Sequence, residues 1–315
     1  MPNPTLESRS TEAKAYIITG PTSGIGRRAA LEVASHGIVV LVGRNRGKLD
    51  VVQQEIQRRG GKAISVVCDL SDVGSVQRAA SEILRLHLPL AGLVNNAGMM
   101  QTRPTRNARG WDMSFVTNHL GPFVLTEALM PHLPDDANVV FVVSAVEDPE
   151  RKPAVLAGFR GARYISAEAS ARGEWAPHGS TKSGFDAYAT TKQAILVAAL
   201  AFARENPRLH INAIEPGFNP STGLGAGDAN TLTRFTQKFI MPLLVPLLMP
   251  FIKILSTSKR AGHEITTLLV DTSGHTGMYY NERGRPMQGS ALVHDQKFQD
   301  RVVAETRALI ATHSG

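Results

Sequence analysis

Tyr188 and Lys192 lie four residues apart, at the head of the apolar run 194–200. On a helix, residues i and i+4 share a face with Cβ atoms about 5–6 Å apart. An ammonium held beside a phenol favours the phenolate. A free tyrosine ionises near pH ~10, and lowering that value by one costs about 1.36 kcal/mol of differential interaction. A phenol brought down to about pH 7, by a neighbouring cation in a partly dry site, makes a usable general acid/base. The other tyrosines, Tyr16, Tyr164, Tyr279 and Tyr280, lack such a partner and read as structural. The pair alone is a common spacing. Its meaning depends on the elements that position it.

Those elements alternate. Apolar runs at 15–19, 38–42, 63–67, 90–94, 138–143 and 210–214 read as buried strands, with a shorter one at 278–280. Helical stretches fall at 27–35, 47–59, 72–86 (capped by Ser71), 187–205 and much of 107–131. This order predicts an α/β fold: a single doubly wound parallel sheet of Rossmann type, with helices on both faces. In such sheets ligands bind beyond the carboxyl ends of the strands. The polar motifs of this chain fall at those ends.

Composition narrows the class. The chain has 315 residues, 43% hydrophobic, enough for a large core. No Gly/Ser- or Pro-rich linker divides it, so residues 14–315 are expected to form one domain. Residues 1–13 are polar, lack the apolar core of a signal peptide, and are expected to be a disordered lead-in. A single cysteine, Cys68, excludes an internal disulfide and suits a reducing, cytoplasmic setting. The formal charge of +7 is spread along the chain and aromatics are only 6%, which argues against nucleic acid as a partner. The ten histidines show no metal-ligand spacing, and no Gly-x-Ser-x-Gly turn supports a hydrolase.

The strand ends suggest a cofactor. Gly20, Thr22, Ser23, Gly24, Ile25 and Gly26 lie between the first strand and its helix. Glycines there let backbone approach a pyrophosphate, and the helix N-terminus offers free N–H groups. After the second strand comes Gly43-Arg44-Asn45-Arg46. An acid there would suit ribose hydroxyls; a base suits a 2′-phosphate, hence NADP(H). Arg44 is the favoured contact, with Asn45 beside it, and Arg46 is left open. Asp69, followed by Leu70, either accepts from an adenine amino group or caps its own turn. Asn96, Ala97 and Gly98 leave room for the adenosine ribose.

Taken together, Thr19-Gly20-x3-Gly24-Ile25-Gly26, Asn95-Asn96-Ala97-Gly98, Thr117-Asn118-His119-Leu120-Gly121, Ser144, Tyr188-x3-Lys192 and Pro216-Gly217 resemble the short-chain dehydrogenase/reductase family, over residues 14–282. Residues 117–126, and a tail in which 274–280 precedes a terminal helix near 298–310, resemble its retinol dehydrogenase-like branch. The resemblance implies hydride transfer between nicotinamide and a ketone, aldehyde or secondary alcohol. Tyr188 would exchange the proton. Lys192 would lower its pKa and bond the nicotinamide ribose. Ser144 would bond the substrate oxygen, and Asn118 would hold a water linking Lys192 to solvent. Pro216, Gly217 and Phe218 would run beside the nicotinamide, with Thr222 or its neighbour Ser221 on the carboxamide or pyrophosphate. Asn219 and Pro21 depart from the family pattern. The alternatives are an NADP(H)-binding regulator and a reductase of an activated C=C bond.

Two segments are unusual. Ser144 and Tyr188 are 44 positions apart, so residues 145–184 hold an insertion that covers a dimer face, walls the substrate site, or is a plain excursion. Monomer and homodimer both remain open. Residues 239–252 carry no polar side chain and contain Pro242, Pro246 and Pro250. The run is too short to span a membrane. It is expected to belong to a lid, about 228–256, over a bulky apolar substrate; the rivals are a peripheral membrane contact and a covered patch.

Overall fold

The aliphatic runs form the sheet that their alternation predicts. In the computed structural model, which describes residues 13–219 and 255–312, seven parallel strands are present. They are β1 (Ala15–Thr19), β2 (Ile38–Gly43), β3 (Lys62–Val67), β4 (Leu90–Asn95), β5 (Asn138–Val142), β6 (His210–Ile214) and β7 (Tyr279–Tyr280). Their order is β3-β2-β1-β4-β5-β6-β7. The chain leaves β1 toward β2 and β3, then returns to pair β4 on the other side of β1. The crevice beyond the strand ends at this reversal is where open α/β sheets bind ligands.

The helices are α1 (Gly24–Val33), α2 (Arg46–Arg58), α3 (Val73–Arg85), α4 (Met113–Phe115), α5 (Gly121–Leu129), α6 (Lys152–Leu156), α7 (Ala167–Ala171), α8 (Ser183–Glu205), α9 (Ser258–Leu269) and α10 (Gln296–Thr312). One core packs α1, α2 and α9 on the sheet through Ile18, Leu41, Leu49 and Ile265. The other packs α3, α5, α8 and α10 around Phe115, Phe123, Phe141 and Phe202.

Several boundaries differ from expectation, each for a local reason. Helix α3 is capped by Asp72, whose Oδ1 accepts from Gly74 N at 3.0 Å. Ser71, the expected cap, turns back and donates its hydroxyl to Asp69. The stretch 107–131 is helical only from Met113, and Val116–Leu120 is a π-helical turn. Such turns insert one residue and re-aim side chains; here Asn118 is among those buried.

Helix α8 is buried all round: every residue from 184 to 203 is buried. Its faces meet β6, the Val116–Leu120 turn, a 3-10 turn at Ala145–Glu147, and α10. A helix apolar on every side must be covered on every side. The insertion is folded onto this arrangement. Arg163 N donates to Thr190 Oγ1 at 2.8 Å, and Tyr164 donates to Glu305 of α10 at 2.7 Å. Helix α8 is thus covered by elements of its own chain, α10 among them. The expected lead-in and lid fall outside the described residues, except Ala13, Leu255 and Ser256. Among the described residues no helix is long and apolar enough to cross a membrane.

Close packing at the start of α5 yields a stability test. A Cβ on Gly121 would lie 2.3 Å from the carbonyl oxygen of Leu70. We expect Gly121→Ala to lower stability by about 1–3 kcal/mol in urea unfolding, despite the better helix propensity of alanine. On Gly47 a Cβ meets only Asn45 Oδ1, at 3.6 Å, so Gly47→Ala serves as the control and should be neutral or mildly stabilising. Equal midpoints for the two variants would contradict this packing.

Candidate active site

The turn after β1 is built so that no side chain can enter it. Thr19 Oγ1 donates to Val94 O at 3.3 Å and accepts from Asn96 N and Ala97 N, both at 3.0 Å. Asn96 Nδ2 donates to Thr19 O at 2.8 Å and Gly20 O at 3.3 Å. These bonds bolt the ends of β1 and β4 together at the point where strand order reverses. Gly20 has φ +67°, and a Cβ on Gly26 would lie 2.3 Å from Asn96 Nδ2 and 2.4 Å from Gly20 O. Ser23 is the N-cap of α1 without a side-chain cap hydrogen bond. Thr22, Ser23, Gly24 and Ile25 keep partial or full exposure around it. A side-chain-free cradle at an open helix N-terminus fits a pyrophosphate.

The neighbouring strand ends separate the remaining cofactor candidates. Arg44 is exposed and makes no hydrogen bond to the described residues. Arg46 instead donates to Ser65 O at 3.0 Å, a structural tie. Asn45 caps α2 through its Oδ1, which accepts from Lys48 N at 3.0 Å. Asp69 caps its own turn by accepting from Ser71 N at 2.9 Å and Ser71 Oγ at 2.7 Å, the second of the two roles expected for it. The side chain of Leu70 is buried in the core beneath α5, so a cofactor would meet its backbone.

Four elements bring the reactive side chains together. Helix α8 supplies Tyr188 and Lys192, 5% and 4% exposed, and the exit of β5 supplies Ser144. Lys192 Nζ donates to Val142 O at 2.9 Å and stands 5.7 Å from the centre of the Tyr188 ring. A Cβ on Gly98 would lie 3.4 Å from that Nζ and 3.5 Å from Asn118 Oδ1, so Gly98, Asn118 and Lys192 share one corner. Asn118 is tied through both ends of its carboxamide. Its Oδ1 accepts from Met99 N and its Nδ2 donates to Met99 O, both at 2.8 Å, and Nδ2 also reaches Thr191 Oγ1 at 3.3 Å. The carboxamide braces the loop after β4.

The electrostatics also depart from expectation. The Tyr188 phenol is held above its ordinary value, first by burial and then by the charge of Glu215, with a hydrogen bond from Ser144 pulling the other way. The direction is thus opposite to the lowering expected from Lys192, and its first cause is loss of solvent. The Lys192 ammonium is itself brought down to about 8 by burial, against the opposing pull of Glu215. Glu215 was missing from the sequence-based site. It is half-buried at the exit of β6; Oε2 accepts from Ala145 N, and Oε1 accepts from Gly217 N at 3.1 Å. Burial raises its carboxyl, while those amides, Arg151 and Ser144 lower it. An acid directly before Pro216-Gly217, at a strand end, was the available signal.

Beyond β6, Pro216 is buried, Gly217 has φ +80° and Phe218 is 60% exposed; Thr222 and Ser221 lie outside the described residues. The insertion contributes Phe159, stacked on Phe185 at 4.2 Å and 11°, with its ring centre 6.3 Å from that of Tyr188. His119 is buried against Thr306, its imidazole depressed to about 3 by loss of solvent, so it is a packed neutral histidine. Among the described residues no cluster of side chains could hold a metal ion.

Similarity to known proteins follows the same lines. A family model described as short chain dehydrogenase matches residues 14–153. Dehydrogenase/reductase SDR family member 12 of Bos taurus is 29% identical over 67% of this chain and 62% of its own length. Retinol dehydrogenase 11 of Homo sapiens is 37% identical over 39% of this chain and 40% of its own length, the counterpart of the branch resemblance. A protein assigned as the daunorubicin C-13 ketoreductase DnrU, from Streptomyces sp. (strain C5), is 30% identical over 70% of this chain and 71% of its own. The match thus spans under two thirds of the first two relatives. A solved short chain dehydrogenase from Burkholderia cenocepacia J2315 in complex with NADP shares the fold, with TM-score 0.61 and 19% identity over 87% of this chain and 97% of that one.

The buried ammonium has a measurable signature. An unfolded lysine holds its proton to about pH 10.5, whereas folded Lys192 releases it near 8. Between those values the unfolded chain binds more protons, so stability rises with pH across that window. Below it the burial penalty is fully present. We expect Lys192→Met to stabilise the cofactor-free protein by about 1–3 kcal/mol at pH 7, after the lost bond to Val142 O is subtracted. The rise in stability between pH 8 and 10.5 should flatten; thermal unfolding across that range checks both.

Proposed function

The chain belongs to the short-chain dehydrogenase family, and from that footing we propose that it is an NADP(H)-dependent oxidoreductase that reduces a ketone or aldehyde, or oxidises the matching secondary alcohol. The observation that carries the reading is the meeting of Tyr188, Ser144 and Lys192 at the exit of β5, in the same layer of strand ends as the cradle after β1.

When bound, the nicotinamide supplies a hydride to the carbonyl carbon or takes one from the carbinol. The pyrophosphate would rest on the backbone of residues 20–26, and Arg44, exposed beyond β2, would meet a 2′-phosphate. Tyr188 holds a proton at its phenol oxygen at neutral pH, and gives it to the carbonyl oxygen as negative charge develops there. Ser144 orients that oxygen. The Lys192 ammonium favours the phenolate left behind. Asn118 keeps the loop at Gly98 and Met99 in place.

The stacked Phe159–Phe185 pair beside Tyr188 supports a bulky apolar substrate. The relative assigned as a ketoreductase supports action at C=O. All-round burial of α8 within one chain supports a monomer, and the free thiol of Cys68 suits a reducing compartment such as the cytoplasm.

Two variants test the reading. Tyr188→Phe should lower kcat on an apolar ketone about 10²–10⁴-fold while the NADPH dissociation constant stays nearly constant. Tight NADPH binding by the wild type with no carbonyl turnover would favour a regulatory protein instead. A saturated product from an enone would favour C=C reduction. Arg44→Ala should weaken NADPH binding about 10–100-fold, the worth of a charge-assisted hydrogen bond, and leave NADH binding unaltered. Calorimetric titration with the two cofactors measures the difference.

A further inference from the structure

The mechanism above uses Tyr188, Lys192, Ser144 and Asn118, and gives Glu215 no part. Yet a carboxylate at the exit of β6 is costly to keep so near the interior unless it does something there. Resting on the reading of Tyr188 as the proton donor, we propose that Glu215 is a positioning residue of the hydride-transfer site: its carboxylate clasps the β5 turn that carries Ser144 to the β6 turn of Pro216 and Gly217, and its negative charge bears on the proton-donating phenol.

The clasp is geometric. Strands β5 and β6 are parallel neighbours, paired up to Val142 and Ile214, and both turn away just beyond. Glu215 spans the gap between the two exits with one oxygen for each. Oε2 takes the amide of Ala145, next to Ser144, and Oε1 takes the amide of Gly217 at 3.1 Å. Two amides from different turns need two acceptors. A carboxylate offers them; a carboxamide offers one oxygen, and its amino group repels the other N–H. Ser144 is the residue next to Ala145, and it acts on both Glu215 and Tyr188, so the clasp holds the turn whose hydroxyl would meet the substrate.

The charge acts on the same groups. Facing Glu215 are Tyr188 and Lys192 from α8, Arg151 from the insertion, and Tyr279 from β7. Tyr279 in turn faces Glu147 and Asp148, and its hydroxyl is buried without a hydrogen-bond partner among the described residues. The two cations, Lys192 and Arg151, and the two amides favour the ionised carboxyl against its burial. The insertion thus brings the charge of Arg151 within electrostatic reach of the carboxylate behind Ser144. An anion beside a phenol disfavours the phenolate. Reduction needs the protonated phenol and is lost as pH rises through its ionisation. Removing the Glu215 charge should let the phenol ionise at lower pH, so the alkaline limb of reduction moves down and alcohol oxidation begins at lower pH.

The test compares wild type, Glu215→Gln and Glu215→Asp by kcat and KM for NADPH-dependent ketone reduction across pH. The tyrosinate absorbance of the cofactor-free proteins is titrated in parallel, with Tyr188→Phe subtracted to isolate one phenol. For Glu215→Gln, the alkaline limb and the Tyr188 titration should both fall by about one pH unit. Glu215→Asp keeps the charge but shortens the reach; its titration should stay near wild type while kcat falls about 10–100-fold, more than KM changes. Unaltered titration in Glu215→Gln, or equal shifts in both variants, would overturn the proposal. Should the Gln variant fail to fold, a wild-type kcat in Glu215→Asp overturns it alone, and a lowered kcat with an unmoved titration sustains it. Absence of any wild-type turnover would sink the redox reading, while the cofactor-free titration would still decide whether Glu215 governs Tyr188.

Discussion

Three ionisable groups share one small, poorly solvated space at the ends of β5 and β6: Tyr188 and Lys192 from α8, and Glu215 from the sheet. Water is largely excluded, so each group resists its charged form, and the local dielectric magnifies every charge that remains. The chain meets this constraint mainly with backbone. Val142 O takes the ammonium, and the amides of Ala145 and Gly217 take the carboxylate. All three backbone groups belong to the exits of two adjacent strands. The sheet is thus both the scaffold and part of the solvent for the reactive groups.

Rigidity around that space follows from burial on a larger scale. Because α8 is enclosed from 184 to 203, Tyr188 and Lys192 cannot swing out without opening the core. The π turn that carries Asn118 lies against α8, and the Asn118 carboxamide locks the backbone of Met99. At the sheet's reversal point, Thr19 and Asn96 fasten β1 to β4. These ties share a logic. Each satisfies polar groups at a strand end, where the ladder of sheet hydrogen bonds stops. The insertion adds what the sheet lacks: an apolar wall from Phe159 and a cation from Arg151.

Much of this was legible in the sequence, and the parts that were not have a common origin. The strand runs, the glycine turn and the i, i+4 spacing of Tyr188 and Lys192 are local signals. They depend on residues within a few positions of one another, and the structure bears out the strands nearly residue for residue. The packing roles that the sequence did not show depend on distant partners. Leu70 is a core residue because α5, fifty positions on, lies over it. Asn118 is a brace because Met99 returns beside it.

By itself the sequence determined the doubly wound parallel sheet, the cradle after its first strand, and which side chains could exchange a proton, because periodicity, chain flexibility and residue chemistry are carried by neighbours along the chain. Only the tertiary structure decided the charge environment of those side chains. It set Glu215 opposite Ser144 and turned the balance at Tyr188 from a cation's pull toward the phenolate to burial's push toward the phenol. Solvent exclusion is a property of the packed whole, and no stretch of sequence contains it.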